Sequence, residues 1–101
     1  MISKTFNLAG LTITTEIDNT LCKSRNIAAE AQYPGQKIVL DTTLHAPQGI
    51  EQNWIHEKVH FILYVMNRHD LRQDEAFVDV FAHLLYQSEI SASGIVNIEE
   101  P

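Results

Sequence analysis

Near residue 48 the spacing of apolar residues along this chain changes from two to about 3.6, and that switch sets its architecture. Before it, Ile2, Lys4, Phe6 and Leu8 share one face of an extended run. Ala9-Gly10 makes a turn, and Leu11, Ile13, Thr15 and Ile17 then alternate with Thr12, Thr14 and Glu16. Two period-two runs about a glycine turn predict a β-hairpin. Asp18-Asn19-Thr20 turns the chain. Leu21 to Gln32 reads two ways, as a short helix over Ile27 to Ala31 or as a third strand with a loop. Tyr33-Pro34-Gly35 marks a turn. Gln36 to Asp41 predicts a short strand, followed by a loop to Gly49.

After the switch, Ile50, Trp54, Ile55, Val59, Ile62, Leu63 and Met66 form one broad stripe of a helix from about Gln48 to Asn67. A second helix is expected from Leu71 to Ser88 or Glu89. Asp70 is its candidate N-cap, Gln73 completes a capping-box pattern, and Phe77, Phe81, Leu84 and Leu85 face inward. Ile95 to Ile98 predicts a last short strand or a tail. The fold class is therefore α+β, a small N-terminal sheet followed by two long helices. At 101 residues, the chain fits a single domain spanning 1–101.

Composition narrows the function. Thirteen acidic against seven basic residues leave a net charge of −6. That balance excludes a binder of phosphate backbones and does not suit an anionic membrane surface. The single cysteine, Cys22, can neither staple the fold nor supply a thiolate pair to a metal. The N-terminus carries no apolar signal region, and Phe61 to Met66 is too short to span a bilayer, so a cytoplasmic location is expected.

One motif carries chemistry. His56-Glu57-Lys58-Val59-His60 matches H-E-x-x-H on the first helix. Residues four apart share a helix face. Two imidazoles so placed can both reach one zinc ion at about 2.0–2.1 Å. With His56 at zero and ~100° per residue, His60 falls at about 40° and Glu57 at about 100°. Glu57 is thus placed to take a proton from water at the metal. One zinc ion per chain is the cofactor expected, with no other cofactor-binding residues. On the second helix Glu75 and Asp79 are also four apart. Glu75 is the candidate third ligand. Asp79 is the candidate acceptor for the second ring N–H of one histidine. Alternatively, they are a pair of exposed acids that the helix dipole favours near an N-terminus. His83 and Tyr86, further along that helix, are candidates for the rim of the site, as donors to an oxyanion. His45 is a weaker one, and His69 sits wrongly spaced for a third histidine ligand.

H-E-x-x-H followed by E-x-x-x-D on the next helix resembles the gluzincin metallopeptidases. The run from Trp54 to Gln87, with the preceding GQKIVLD segment, is similar to short phage- and prophage-type zinc peptidases and to minigluzincins. The resemblance covers residues 36 to 87, about half the chain. It implies His56, His60 and Glu75 as ligands, Glu57 as general base and acid, and Asp79 behind His56. It also implies peptide-bond hydrolysis, with an extended peptide paired to an edge strand, here Gln36 to Leu40. The chain departs from larger gluzincins in lacking a second domain and an unambiguous downstream His or Tyr for the oxyanion. An inactive, zinc-stabilised protein-binding module is the alternative expectation.

Overall fold

The structure, a computed structural model, describes residues 2–98. The hairpin forms as expected. Strand β1 (Thr5–Leu8) pairs antiparallel with β2 (Leu11–Ile17), Leu8 opposite Leu11. The turn residues Ala9 and Gly10 both have positive φ, 50° and 82°, the geometry that matches the twist of a two-residue hairpin.

The ambiguous stretch resolves into two elements. A single-turn helix α1 (Leu21–Arg25) buries Leu21 and stops where Asn26 turns left-handed at φ 56°. Strand β3 (Ala29–Gln32) follows, so of the two readings the strand forms and the helix over Ile27 to Ala31 does not. Ala29 and Ala31 alternate onto the face packed against the core, where a period of two is needed. Tyr33 to Gln36 turns the chain into β4 (Lys37–Leu40), which pairs antiparallel with β3 and parallel with β2.

The sheet order is β1-β2-β4-β3. This corrects the expectation that Gln36 to Leu40 is an edge. β4 is paired on both sides, and the edge next to it is β3. The continuous apolar run Ile38-Val39-Leu40, all three buried, suits such an interior strand.

The long helix α2 (Pro47–Val65) starts with Pro at its first position, where the missing N–H costs nothing. It ends in a Schellman arrangement. Asn67 is left-handed at φ 59°, Arg68 N–H donates to the Leu63 carbonyl, and Asn67 N–H donates to that of Tyr64. One face of α2 packs on the sheet through Trp54 and Phe61, against Ile13, Ile38 and Leu40. Trp54 Nε1 donates to Thr15 Oγ1 at 2.9 Å, so the indole is satisfied where it is buried.

A short helix α3 (His69–Arg72) leads into α4 (Glu75–Ser91). The break falls later than expected. Asp70 is held by Arg68 in a two-pronged pair (2.9 and 3.0 Å), while Asp74 caps α4 by accepting from Phe77 N–H at 3.1 Å. The inward face of α4 also differs. Val78, Ala82 and Tyr86 are buried, Val78 and Ala82 against Val59 and Leu63 of α2. Phe81 and Leu84, expected inside, are 49% and 57% exposed. Among the described residues helix α4 packs chiefly on α2 and α3, so a narrow stripe of its surface suffices. Ile95 to Ile98 forms no strand and is exposed. The last residues of that predicted tail, 99–101, lie outside those described. No helix among the described residues is long and apolar enough to cross a membrane.

Candidate metal centre

Helix α2 brings His56 and His60 onto one face, with ring centroids 5.0 Å apart. Helix α4 presents its first residue, Glu75, to both. Glu75 Oε2 lies 3.2 Å from His56 Nε2, and Oε1 lies 3.0 Å from His60 Nε2. One turn on, Asp79 Oδ1 lies 3.0 Å from His56 Nδ1. The two nitrogens of His56 therefore face different acids. Placing the cap at Asp74 starts α4 at Glu75 and sets this register.

Two overlapping groups have ligand atoms all within 4.8 Å of one another and could hold a metal ion. One is His56, Glu57 and His60; the other is His56, Glu75 and Asp79. The donor chemistry fits a divalent cation. The Glu75 carboxylate reaches the Nε2 atoms of both rings, one oxygen to each, so two imidazoles and one carboxylate make up the donor set, although His56, His60 and Glu75 do not together form one of the two close groups. Burial holds His60 below its usual pKa, with Glu75 opposing, and a metal requires the neutral ring. His60 Nδ1 is buried without a partner at hydrogen-bonding geometry, although the Arg72 backbone lies close enough to favour protonation of the ring.

Glu57 is 8% exposed, wedged between α2 and β3. Burial is the main cause that pushes its carboxyl up to about 8, and the charges of Glu75 and Glu30 add to it. The Ala31 backbone N–H donates to it and opposes the shift. The alternation of β3 explains that contact. Asp41 N–H donates to the Ala28 carbonyl, so the even-numbered residues of this strand bond inward to β4. The N–H and C=O groups of Ala29 and Ala31 then point outward from the sheet, and Ala31 meets Glu57.

The structure thus brings together His56, Glu57, His60, Glu75 and Asp79. It does not bring His83 and Tyr86 to the same point. His83 Nδ1 lies 2.7 Å from Gln52 Nε2, and Tyr86 O–H donates to Glu51 at 3.2 Å. His83 is eight residues past Glu75, about 12 Å along the helix axis. It shares a cavity of about 390 Å³ with His56 and Asp79, on the Nδ1 side of the His56 ring. His45 and His69 are exposed and stand apart from the cluster.

Sequence reasoning missed Ala31, Tyr33 and Arg72. The Arg72 guanidinium lies 4.8 Å from the Tyr33 ring centroid, and Tyr33 stacks on Tyr64 at 4.5 Å. Tyr33-Pro34-Gly35 reads as a turn, and nothing local in it points to residues 31 to 39 positions away. Comparison of the chain with protein-family models, with curated proteins and with solved structures gave no match.

Proposed function

We propose that this chain is a small zinc-dependent metallopeptidase of gluzincin type. The observation that carries the reading is the Glu75 carboxylate spanning His56 Nε2 and His60 Nε2, with Glu57 buried beside them. In this reading His56, His60 and Glu75 hold the zinc. Bound there, zinc supplies Lewis acidity toward a carbonyl oxygen and brings the ionisation of a water toward neutral pH.

The protein's own groups do the rest. Glu57 takes a proton as the water oxygen attacks the carbonyl carbon. It gives that proton to the amine nitrogen as the C–N bond breaks. Without a cation, burial keeps Glu57 protonated, and a divalent cation held beside it would favour the ionised form that a base needs. Asp79 fixes the His56 ring by taking its Nδ1–H. An extended peptide adds to the outer edge of β3, where the N–H and C=O of Ala29 and the C=O of Ala31 point outward beside the Ala31 N–H that Glu57 accepts. The reading includes a cytoplasmic setting, in keeping with one free cysteine.

A fluorogenic peptide library tests it. The zinc-loaded protein is expected to cleave, and Glu57→Gln is expected to retain zinc and lose cleavage. Equal cleavage by that variant would remove Glu57 from the mechanism. A second reading, a zinc-stabilised binding module, draws on the exposed α4 face of Val80, Phe81 and Leu84. It predicts zinc retention with no cleavage by either protein.

A further inference from the structure

Resting on the peptidase reading, we propose that the Tyr33 hydroxyl, positioned by Arg72, donates the hydrogen bond to the scissile carbonyl oxygen as it gains charge. His83 and Tyr86, the residues expected for that role, are committed to Gln52 and Glu51 further along α4. The role falls instead to a residue upstream of the metal helix.

The argument starts from β3. Ala31 touches Glu57 through its backbone N–H. Tyr33 follows the last residue of β3 and opens the turn to Gln36, and its side chain packs on the same cluster as Ala29 and Ala31. Its ring packs on Phe61 at 5.2 Å and stacks on Tyr64 at 4.5 Å, with an interplanar angle of 18°. Phe61 follows His60 directly, and Tyr64 lies one turn further along α2. Tyr33 is therefore anchored at the His60 end of the site, at the close of the strand whose Ala31 N–H meets Glu57.

Arg72 holds the stacked pair from beside it. Its guanidinium lies over the rings of Tyr33 and Tyr64 at 4.8 and 5.9 Å, and its Nε donates to His69 Nδ1 at 3.2 Å. The phenol senses the whole constellation. Burial raises its pKa, the Arg72 contact lowers it, and the charges of Glu57 and Glu75 raise it again. It stays a protonated donor at neutral pH. A donor held by stacked rings needs little reorganisation when charge develops, which is where such groups have their effect.

Tyr33→Phe keeps the ring and the stack and removes only the O–H. It is expected to keep the melting temperature and zinc content of wild type. Its kcat on the best library peptide should fall about 100-fold with KM changed less than threefold. Its affinity for a phosphonamidate copy of that peptide, measured by calorimetry, should fall by a similar factor. Arg72→Met should lower kcat about tenfold, and Arg72→Lys should restore part of it. If Tyr33→Phe keeps wild-type kcat and phosphonamidate affinity, the assignment is wrong while the peptidase reading stands. A zinc-loaded wild type that cleaves nothing overturns both. Should Tyr33→Phe melt early, the Arg72 pair decides: kcat unchanged in Arg72→Met overturns the assignment.

Discussion

Asp79 Oδ1 lies 3.0 Å from Nδ1 of His56, which leaves Nε2 of that ring facing Glu75. Each nitrogen of His56 therefore faces a carboxylate, and with a cation held at Nε2 Asp79 would accept the Nδ1–H. Asp79 is exposed, so its effect on overall stability is small, and its effect on the ring is what a variant reports. Asp79→Asn is expected to weaken zinc binding by roughly 10- to 100-fold with little change in metal-free stability. Competition against a chromophoric chelator measures the first and denaturant unfolding the second. Zinc affinity equal to wild type would show that His56 orients itself without Asp79.

Glu75 is the only contributor from α4 that reaches both rings. Removing it leaves two imidazoles on one helix and no carboxylate facing both Nε2 atoms. Glu75→Ala should lose most bound zinc on dialysis, and elemental analysis reads this directly. Ligand binding to the folded state raises stability by mass action. Wild type is therefore expected to melt higher with zinc than with chelator, and Glu75→Ala to melt alike in both. A zinc-dependent shift of wild-type size in the variant would exclude Glu75 as a ligand.

Glu57 makes chelator-treated protein sensitive to pH. Its folded pKa of about 8 lies above the ordinary 4.5, so the folded state holds a proton that the unfolded chain has released. Stability from this group is full below pH 4.5 and is lost as pH rises toward about 8. His60 works the other way. Its lowered folded pKa adds stability as pH rises, but only up to its ordinary value of 6.5. Between pH 6.5 and 8 Glu57 acts alone. Metal-free wild type should lose stability there, by at most about 1.4 kcal/mol per pH unit. Glu57→Gln should be flat over the same window. Equal slopes in urea titrations of the two proteins would show that Glu57 is ionised in the metal-free fold.

The parts of this molecule readable in its sequence are those set by neighbours along the chain. The hairpin at Ala9-Gly10, the length of α2 and the i, i+4 spacing of His56 and His60 all depend on local periodicity. Glu75 and Asp79 were readable for the same reason, since one helical turn separates them. What depended on long-range pairing was not. Whether Gln36 to Leu40 lies inside the sheet or at its edge depends on β2 reaching it in parallel, and the only local sign of it is the short apolar run Ile38-Val39-Leu40. The capping residue was misplaced because Asp70 and Asp74 look alike until Arg68 claims one and Phe77 N–H the other. Tyr33 and Arg72 meet only after β3 and α3 are both placed against α2.

The inward face of α4 gives the plainest test of the packing. Phe77, Phe81, Leu84 and Leu85 satisfy a helical period as well as Val78, Ala82 and Tyr86 do, and the larger residues make the more obvious core. The fold buries Val78, Ala82 and Tyr86, packs Phe77 and Leu85 partly against Val59 and Leu63 as expected, and leaves Phe81 and Leu84 about half exposed. Val78→Ala removes two methyl groups from a side chain with 0% exposure and should cost about 2 kcal/mol. Phe81→Ser changes a residue with 49% exposure and should cost within about 0.5 kcal/mol, despite losing far more apolar surface. Denaturant midpoints of the zinc-loaded proteins separate the two. The reverse order, with Phe81→Ser the more damaging, would mean that α4 packs with its other face and that Glu75 cannot reach the histidines.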